Sequence, residues 1–202
     1  MITIHHLNNS RSQRIIWLLE ELKLPYEIVQ HQRDPVSQLA PQSLKDVHPL
    51  AKAPVLIDGD ITLVESGAMM EYLLDQQDCD FLRPKKSDVN YYDYLQWLHF
   101  AEGSLSLPVI TSLLLGFEKR SGDQAIDGYI AKELALDLGF IDAQLTAHPF
   151  FAGNSFSAAD IMMTFLLEST AKQALLAPYP SIVKYLSKIQ QRPAYQESLK
   201  LG

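Results

Sequence analysis

Ala51-Lys52-Ala53-Pro54-Val55-Leu56-Ile57-Asp58-Gly59-Asp60-Ile61-Thr62-Leu63-Val64-Glu65-Ser66 decides the fold. A proline stands directly before an apolar run. Proline has no N–H for a sheet ladder, so Pro54 marks an edge, a strand start or a cis peptide bond. Asp58-Gly59 between two apolar runs signals a hairpin, and Ile61 to Val64 is its return. An acid and a hydroxyl follow, and helical spacing begins at once, with Met69, Tyr72 and Leu73 on the buried side. Ser66 is expected to cap that helix with its hydroxyl. The helix's first N–H groups and positive dipole end then suit a carboxylate, while Glu65 suits an ammonium. Side by side they can hold both charged groups of an α-amino acid. Read in isolation, the same residues describe an ordinary helix start with a capping serine.

Upstream, Ile2-Thr3-Ile4-His5-His6-Leu7 alternates and carries β-branched residues, which predicts a strand. Asn8-Asn9-Ser10 is a turn and cap cluster. From Arg11 the spacing turns helical, with Ile15, Leu18, Leu19 and Leu22 on one face and Ile16 and Trp17 widening it. Tyr26 to Gln30 alternates again. This is strand–helix–strand with a crossover long enough for parallel pairing. A looser stretch from 31 to 50 holds Pro35, Pro41 and Pro49, with a short helix expected over Gln42 to Asp46. The first domain therefore reads βαβ, loop, ββα, over residues 1–78.

Residues 79–87 are mostly polar and read as a linker. Beyond them strand signals vanish, and residues 88–202 read as an all-helical domain. Tyr91, Tyr94, Leu95 and Leu98 share a helical spacing. Gly103 and Pro108 predict a kink or split in the run from 88 to 118. A second helix spans about 124 to 146, with Ile126, Ile130, Leu134, Leu138, Ile141 and Leu145 in phase. Ser157-Ala158-Ala159-Asp160 is a capping box with Asp in the place of Glu. Two short helices follow, near 181–190 and 193–199. Tyr91, Tyr94, Trp97 and Phe100 are read as core or interface residues.

The 202 residues suffice for one large or two small domains. A net charge of −7 argues against a nucleic-acid-binding surface. No apolar run reaches membrane-spanning length, which predicts no membrane partner. The opening MITIHHLNNSRSQR lacks a charged segment followed by an apolar one, so no signal peptide is expected. One cysteine, Cys79, excludes an internal disulfide, a CxxC pair and a cysteine zinc site. A reducing cytoplasm fits. His5 and His6 are read as core or sheet-surface residues, and His48, His99 and His148 show no ligand spacing, so no metal site is predicted.

A βαβ–ββα unit with proline opening its third strand resembles a thioredoxin fold. An α/β thioredoxin-like domain followed by an all-α domain, at this length, is similar to the cytosolic glutathione transferases. Four motifs carry the resemblance. Asn9-Ser10-Arg11-Ser12-Gln13-Arg14-Ile15 resembles the serine-type catalytic loop. His48-Pro49-Leu50-Ala51-Lys52-Ala53-Pro54-Val55-Leu56 resembles the family's NPxGKVPxL segment, with Ala51 and His48 where Gly and Asn are common. Glu65-Ser66-Gly67 resembles its glutamyl clamp, and Ser157 to Asp160 resembles the box opening the central helix of its second domain. The flavour is that of bacterial and fungal members with an SR…WLLEEL helix, here Ser10-Arg11 through Leu22.

The resemblance implies a transferase with glutathione as co-substrate, no permanently bound cofactor, and a small hydrophobic electrophile as second substrate. It also implies a homodimer. Glu65 and Ser66 would take the glutamyl end, and Ala53 beside Pro54 would pair with the cysteinyl backbone. Lys52 is the nearest cation for the glycyl carboxylate, with Arg33 and Arg11 behind it. Ser10 would hold the thiol, and Asn9 and Arg11 beside it would bind glutathione. A thiol titrates near ~8.5, and lowering that by about two units takes roughly 2.7 kcal/mol of preference for the anion. A hydroxyl donating to the thiolate contributes about 1.5–3 kcal/mol, and a helix N-terminus about 0.3–1 kcal/mol. No general base is then needed. Ser10 is the first candidate donor, with Ser12 and Asn9 as rivals and a plain N-cap as the structural alternative. Glu102, Leu105 and Leu107 are candidate contacts for the electrophile. Two other functions fit the same chain: a glutathione-dependent reductase of disulfides or hydroperoxides, and a non-catalytic binding protein on the transferase fold.

Overall fold

The computed structural model describes residues 1–77 and 81–201. Cys79 and the start of the expected linker lie outside them. In order the elements are β1 (Ile2–Leu7), α1 (Ser12–Leu22), β2 (Tyr26–His31), α2 (Gln42–Val47), β3 (Val55–Asp58), β4 (Ile61–Leu63), α3 (Ser66–Asp75), α4 (Tyr91–Phe100), a π-helical turn (Ala101–Leu105), α5 (Ser106–Leu115), α6 (Ala125–Ala147), α7 (Ala158–Lys172), α8 (Pro180–Ile189) and α9 (Pro193–Leu199). They form two compact units, Met1–Cys79 with Gln190–Gly202, and Asp80–Ile189.

The first unit is a four-stranded sheet in the order β2-β1-β3-β4. β1 and β2 run parallel, and β3 is antiparallel to both β1 and β4. The crossover helix α1 buries Ile15, Ile16, Trp17, Leu18 and Leu19. It stops at Lys23, whose φ of 54° and backbone bond to Glu20, together with Leu24 N–H to Leu19 C=O, make a Schellman ending. The β3–β4 turn places Gly59 at φ 58°, the conformation that glycine adopts without a Cβ penalty.

The expected division at residue 88 fails at the other end of the chain. Helix α9 belongs to the first unit, not to the helical domain. It covers α1: Tyr195 meets Trp17 edge-on at 5.0 Å between ring centres, and Arg192 grips Glu21 through two bonds of 2.6 and 2.8 Å.

The second unit is all helix. α7 is its centre, with ten of its fifteen residues buried, among them Ile161, Met162, Met163, Leu166 and Leu167. Trp97 packs among Phe140, Phe151 and Phe100, each ring centre 4.9–5.2 Å away, so it is a core residue. The expected kink takes a specific form. α4 and α5 run on through a π-helical turn around Gly103, just ahead of Pro108, whose missing N–H leaves the regular bonding pattern incomplete. Ile126, assigned to the buried stripe of α6, is 41% exposed. Tyr91–Leu115 together are long and apolar enough to cross a membrane by length and composition. The sequence reading missed this because the π-helical turn joins two shorter runs. One such helix is weak evidence of a membrane span; it buries Tyr94, Trp97, Leu98 and Leu105, and 33% of its apolar window is buried.

Candidate functional site

The sheet topology gathers the sequence motifs at one edge. β1 ends at Leu7 and leads into the Asn8–Arg11 loop. β3 begins at Val55, which pairs with His5, just after Pro54. β4 ends at Leu63, which pairs with Leu56, just before Glu65. The loop, the proline and the clamp therefore converge on the same end of the sheet, over a small core of Leu7, Leu44 and Val55.

The first loop is held from behind. Arg33 donates from Nε to Asn8 C=O at 3.2 Å, from one guanidinium nitrogen to Asn9 C=O at 3.3 Å and from the other to Gln38 C=O at 3.0 Å. Arg33, a weaker candidate for the glycyl carboxylate, holds the loop through these three bonds. Asn9 is exposed at φ 53°. Ser10 is half-buried and Ser12 wholly buried. The two hydroxyls lie 2.6 Å apart, and Ser10 Oγ also accepts the N–H of Ser12 at 3.2 Å. The N-cap position of α1 is assigned to Arg11, and Ser10, one residue ahead, takes the Ser12 N–H on its hydroxyl as a capping serine does. Ser12 Oγ reaches His6 Nδ1 at 2.7 Å and both backbone groups of Leu7.

Ala53–Pro54 is a cis peptide bond, one of the options open for that proline. Among the described residues Ala53 shares no hydrogen bond with another backbone group. Ala51 holds a φ of 49°, which explains why glycine suits that position. Lys52 is exposed.

At the clamp the capping expectation is corrected. Glu65, not Ser66, is the N-cap residue of α3; its C=O accepts Met69 N–H at 3.0 Å. Ser66 is the first helical residue and is buried, with its hydroxyl accepting a hydrogen bond from the Arg14 guanidinium at 3.1 Å. Glu65 is exposed and holds a φ of 72°, a backbone state costing a non-glycine residue about 1–3 kcal/mol. Arg14 is a buried residue behind the clamp that sequence reading passed over. It is 1% exposed, and its positive charge adds to the pole at the start of α3. The signal for it was an arginine in phase with the buried stripe of α1.

A second polar chain lies alongside. His5 Nδ1 meets His31 Nε2 at 3.0 Å, and His31 Nδ1 meets Ser43 Oγ at 2.9 Å, tying β1, β2 and α2 together. Burial lowers the pKa of His5, His6 and His31, and the proximity of His31 adds to this for His5 and His6. Among the described residues no cluster of three His, Cys, Asp or Glu side chains is placed to hold a metal ion.

In the helical unit, Glu102 is half-buried, Leu105 is fully buried and Leu107 is 63% exposed. A cleft of about 540 Å³ in this unit has other walls: Leu115, Ile130, Leu134, Leu138 and Tyr179, with Arg120 at one side.

Residues 1–75 match the family model for the glutathione S-transferase N-terminal domain, and residues 105–200 match that for its C-terminal domain. Glutathione S-transferase 3 of Schizosaccharomyces pombe is 36% identical over 96% of this chain and 85% of its own. The chain belongs to the glutathione S-transferase family. Glutathione S-transferase 1 of Saccharomyces cerevisiae is 31% identical over 98% of this chain and 94% of its own. A crystal structure of a glutathione S-transferase from Actinobacillus pleuropneumoniae superposes with a TM-score of 0.90 at 32% identity, covering 99% of this chain and 92% of that one. A sphingomonad glutathione S-transferase complexed with glutathione is 26% identical with a TM-score of 0.77, covering 98% and 97%. The thioredoxin-like and helical parts are thus those of this family. The chain is a glutathione S-transferase enzyme, with glutathione as the family's substrate.

Proposed function

We propose that this transferase joins the glutathione thiolate to small hydrophobic electrophiles, with Ser10 as the donor that holds the sulfur as an anion. One observation carries the choice of Ser10. Ser10 is half-buried and keeps exposed surface at the sheet end where the motifs converge, whereas Ser12 is wholly buried. Asn9 and Arg11 flank that hydroxyl. Ala53, next to Pro54, offers its backbone to the cysteinyl part as a strand edge does. Lys52 serves the glycyl carboxylate. The first N–H groups of α3, above Ser66 and Arg14, take the glutamyl carboxylate, and Glu65 takes its ammonium. The glutathione-bound sphingomonad relative supports this ligand.

On the electrophile's side, Glu102 and Leu107 have surface to offer, while Leu105 supports them from the core. The reading extends to a cytoplasmic detoxifying enzyme that works as a homodimer. Exposed Phe81, Val89 and Tyr92 at the opening of the helical unit give apolar surface for a second copy, which light scattering on the purified protein tests.

The decisive experiment follows the ultraviolet absorbance of bound thiolate against pH, with Ser10→Ala alongside. The bound thiol is expected to ionise well below its free value, and the variant to bind glutathione but lose this. Binding without enhanced ionisation in the native protein would sink the assignment. Turnover of a hydroperoxide or disulfide but not of an aryl halide would move the reaction to reduction.

A further inference from the structure

We propose that His6 and Ser12 are positioning residues that fix the Ser10 hydroxyl as an outward hydrogen-bond donor to the glutathione sulfur. This rests on the reading of Ser10 given above.

A serine hydroxyl has one hydrogen and two lone pairs. Ser10 Oγ already accepts the Ser12 N–H at 3.2 Å. If Ser12 also donates its hydroxyl across the 2.6 Å contact, both lone pairs of Ser10 are filled. The Ser10 hydrogen then has nowhere to go but outward. Such a hydroxyl can donate but cannot accept. It favours a thiolate over a thiol, because a thiol's own S–H finds no acceptor there.

Whether Ser12 donates or accepts is set by His6. With a proton on Nδ1, His6 donates to Ser12 Oγ across 2.7 Å. Ser12 then accepts from His6 and from Leu7 N–H. Its one hydrogen has two acceptors in reach, Ser10 Oγ at 2.6 Å and Leu7 C=O at 3.3 Å, and the shorter contact, to Ser10, takes it. With the proton on Nε2 instead, Ser12 donates back to His6, and Ser10 turns its hydrogen inward to Ser12. Only the first arrangement leaves a hydrogen for an anion at Ser10, so the bound thiolate selects it. Burial favours the neutral ring, pulling the His6 pKa down, so the choice lies between the two neutral tautomers.

The histidine has no evident role in packing that an apolar residue would not fill. It is 2% exposed, and among the described residues its Nε2 has no hydrogen-bond partner. Among the described residues its ring bonds only to Ser12. A buried polar group left half-satisfied costs stability. Keeping one here, two bonds behind the proposed donor, is accounted for by the polarised chain His6–Ser12–Ser10. Chains of this kind strengthen each member.

The test uses the full-length protein and glutathione itself, reading thiolate absorbance against pH and glutathione affinity in the same samples. His6→Leu and Ser12→Ala are expected to raise the ionisation midpoint of bound thiol by about one unit, a tenfold loss of thiolate near neutral pH, with Kd changed less than about threefold. His6→Asn sets an amide N–H where Nδ1 lies and is expected to keep the low midpoint. His6→Gln sets it near Nε2 and is expected to lose it. If Ser10→Ala leaves the midpoint alone, the Ser10 reading falls and takes this proposal with it. If Ser10→Ala raises the midpoint but His6→Leu and Ser12→Ala do not, the relay is overturned while Ser10 stands. Should those two variants fail to fold, equal midpoints in His6→Asn and His6→Gln overturn it.

Discussion

Two buried polar chains begin helices in this molecule, and they end differently. In the first unit His6, Ser12 and Ser10 form a line that stops at a half-buried serine. In the second unit Asp160 closes on itself. Its carboxylate accepts Phe151 N–H at 3.1 Å, Ser157 N–H at 2.9 Å, Ser157 Oγ–H at 3.0 Å and Tyr185 Oη–H at 3.0 Å, with no exposure at all. Burial still pushes the Asp160 carboxyl up to about 6 against those four donors. A closed network holds a helix in place. An open one has a hydrogen left for a ligand.

Removing the centre of the closed network gives the largest effect. Asp160→Ala strands a tyrosine hydroxyl, a serine and two backbone N–H groups, each worth about 1–3 kcal/mol when unpaired. The helical unit is expected to lose at least about 3 kcal/mol, read as a shift in its urea midpoint. A loss below about 1 kcal/mol would mean the network is not a stability element. At the open network the effect falls on rate. Ser10→Ala removes one charge-assisted bond of about 1.5–3 kcal/mol, so kcat/KM with a standard aryl halide drops roughly 10- to 100-fold. Its stability is expected to stay within about 1 kcal/mol of native; a larger fall would make the chain a structural one like Asp160's.

The strained residue beside the open chain separates the two roles more finely. Glu65→Ala keeps the positive φ and loses the carboxylate, so glutathione affinity falls with no gain in stability. Glu65→Gly loses affinity equally but relieves the backbone, raising stability by up to about 1 kcal/mol after glycine's entropic cost. Equal denaturation midpoints for the two would remove strain from the account. The smallest effects are opposite slopes with pH. Asp160 binds its proton more tightly folded than unfolded, so its contribution falls as pH rises from 3.8 to about 6. His5, His6 and His31 bind theirs less tightly folded, so theirs is complete above 6.5 and falls as pH drops below it. Denaturation series on Asp160→Asn and His31→Gln should each flatten one slope; a flattened slope of the wrong sign would refute the assignment.

The fold was legible where one period governs a stretch. Alternation in Ile2–Leu7, the Asp58-Gly59 turn and the 3.6 period of α1 needed no tertiary knowledge. Pro54 was legible as an anomaly with three explanations. What stayed hidden depended on contacts across the fold. Ser66 and Glu65 are adjacent, so whether one or the other caps α3 turns on a single φ angle. Arg14 reads as a solvated charge until the buried stripe of α1 is seen to include it. His6 and Ser12 are six residues apart across a strand–loop–helix junction, a spacing that neither a strand nor a helix period relates. The return of α9 to the first unit was invisible because Trp17 and Tyr195 each look like a core residue of their own neighbourhood.

That return has a consequence for how the protein is made. Glu21 and Arg192 are 171 positions apart. At ribosomal speeds of about 5–20 residues per second, roughly 10–30 s separate the emergence of one from the other. Throughout that interval α1 stands on the nascent chain with Trp17 uncovered. The unit that carries Ser10 is begun early and completed only once α9 has been made, so the docking of α9 on α1 comes late in the making of the protein.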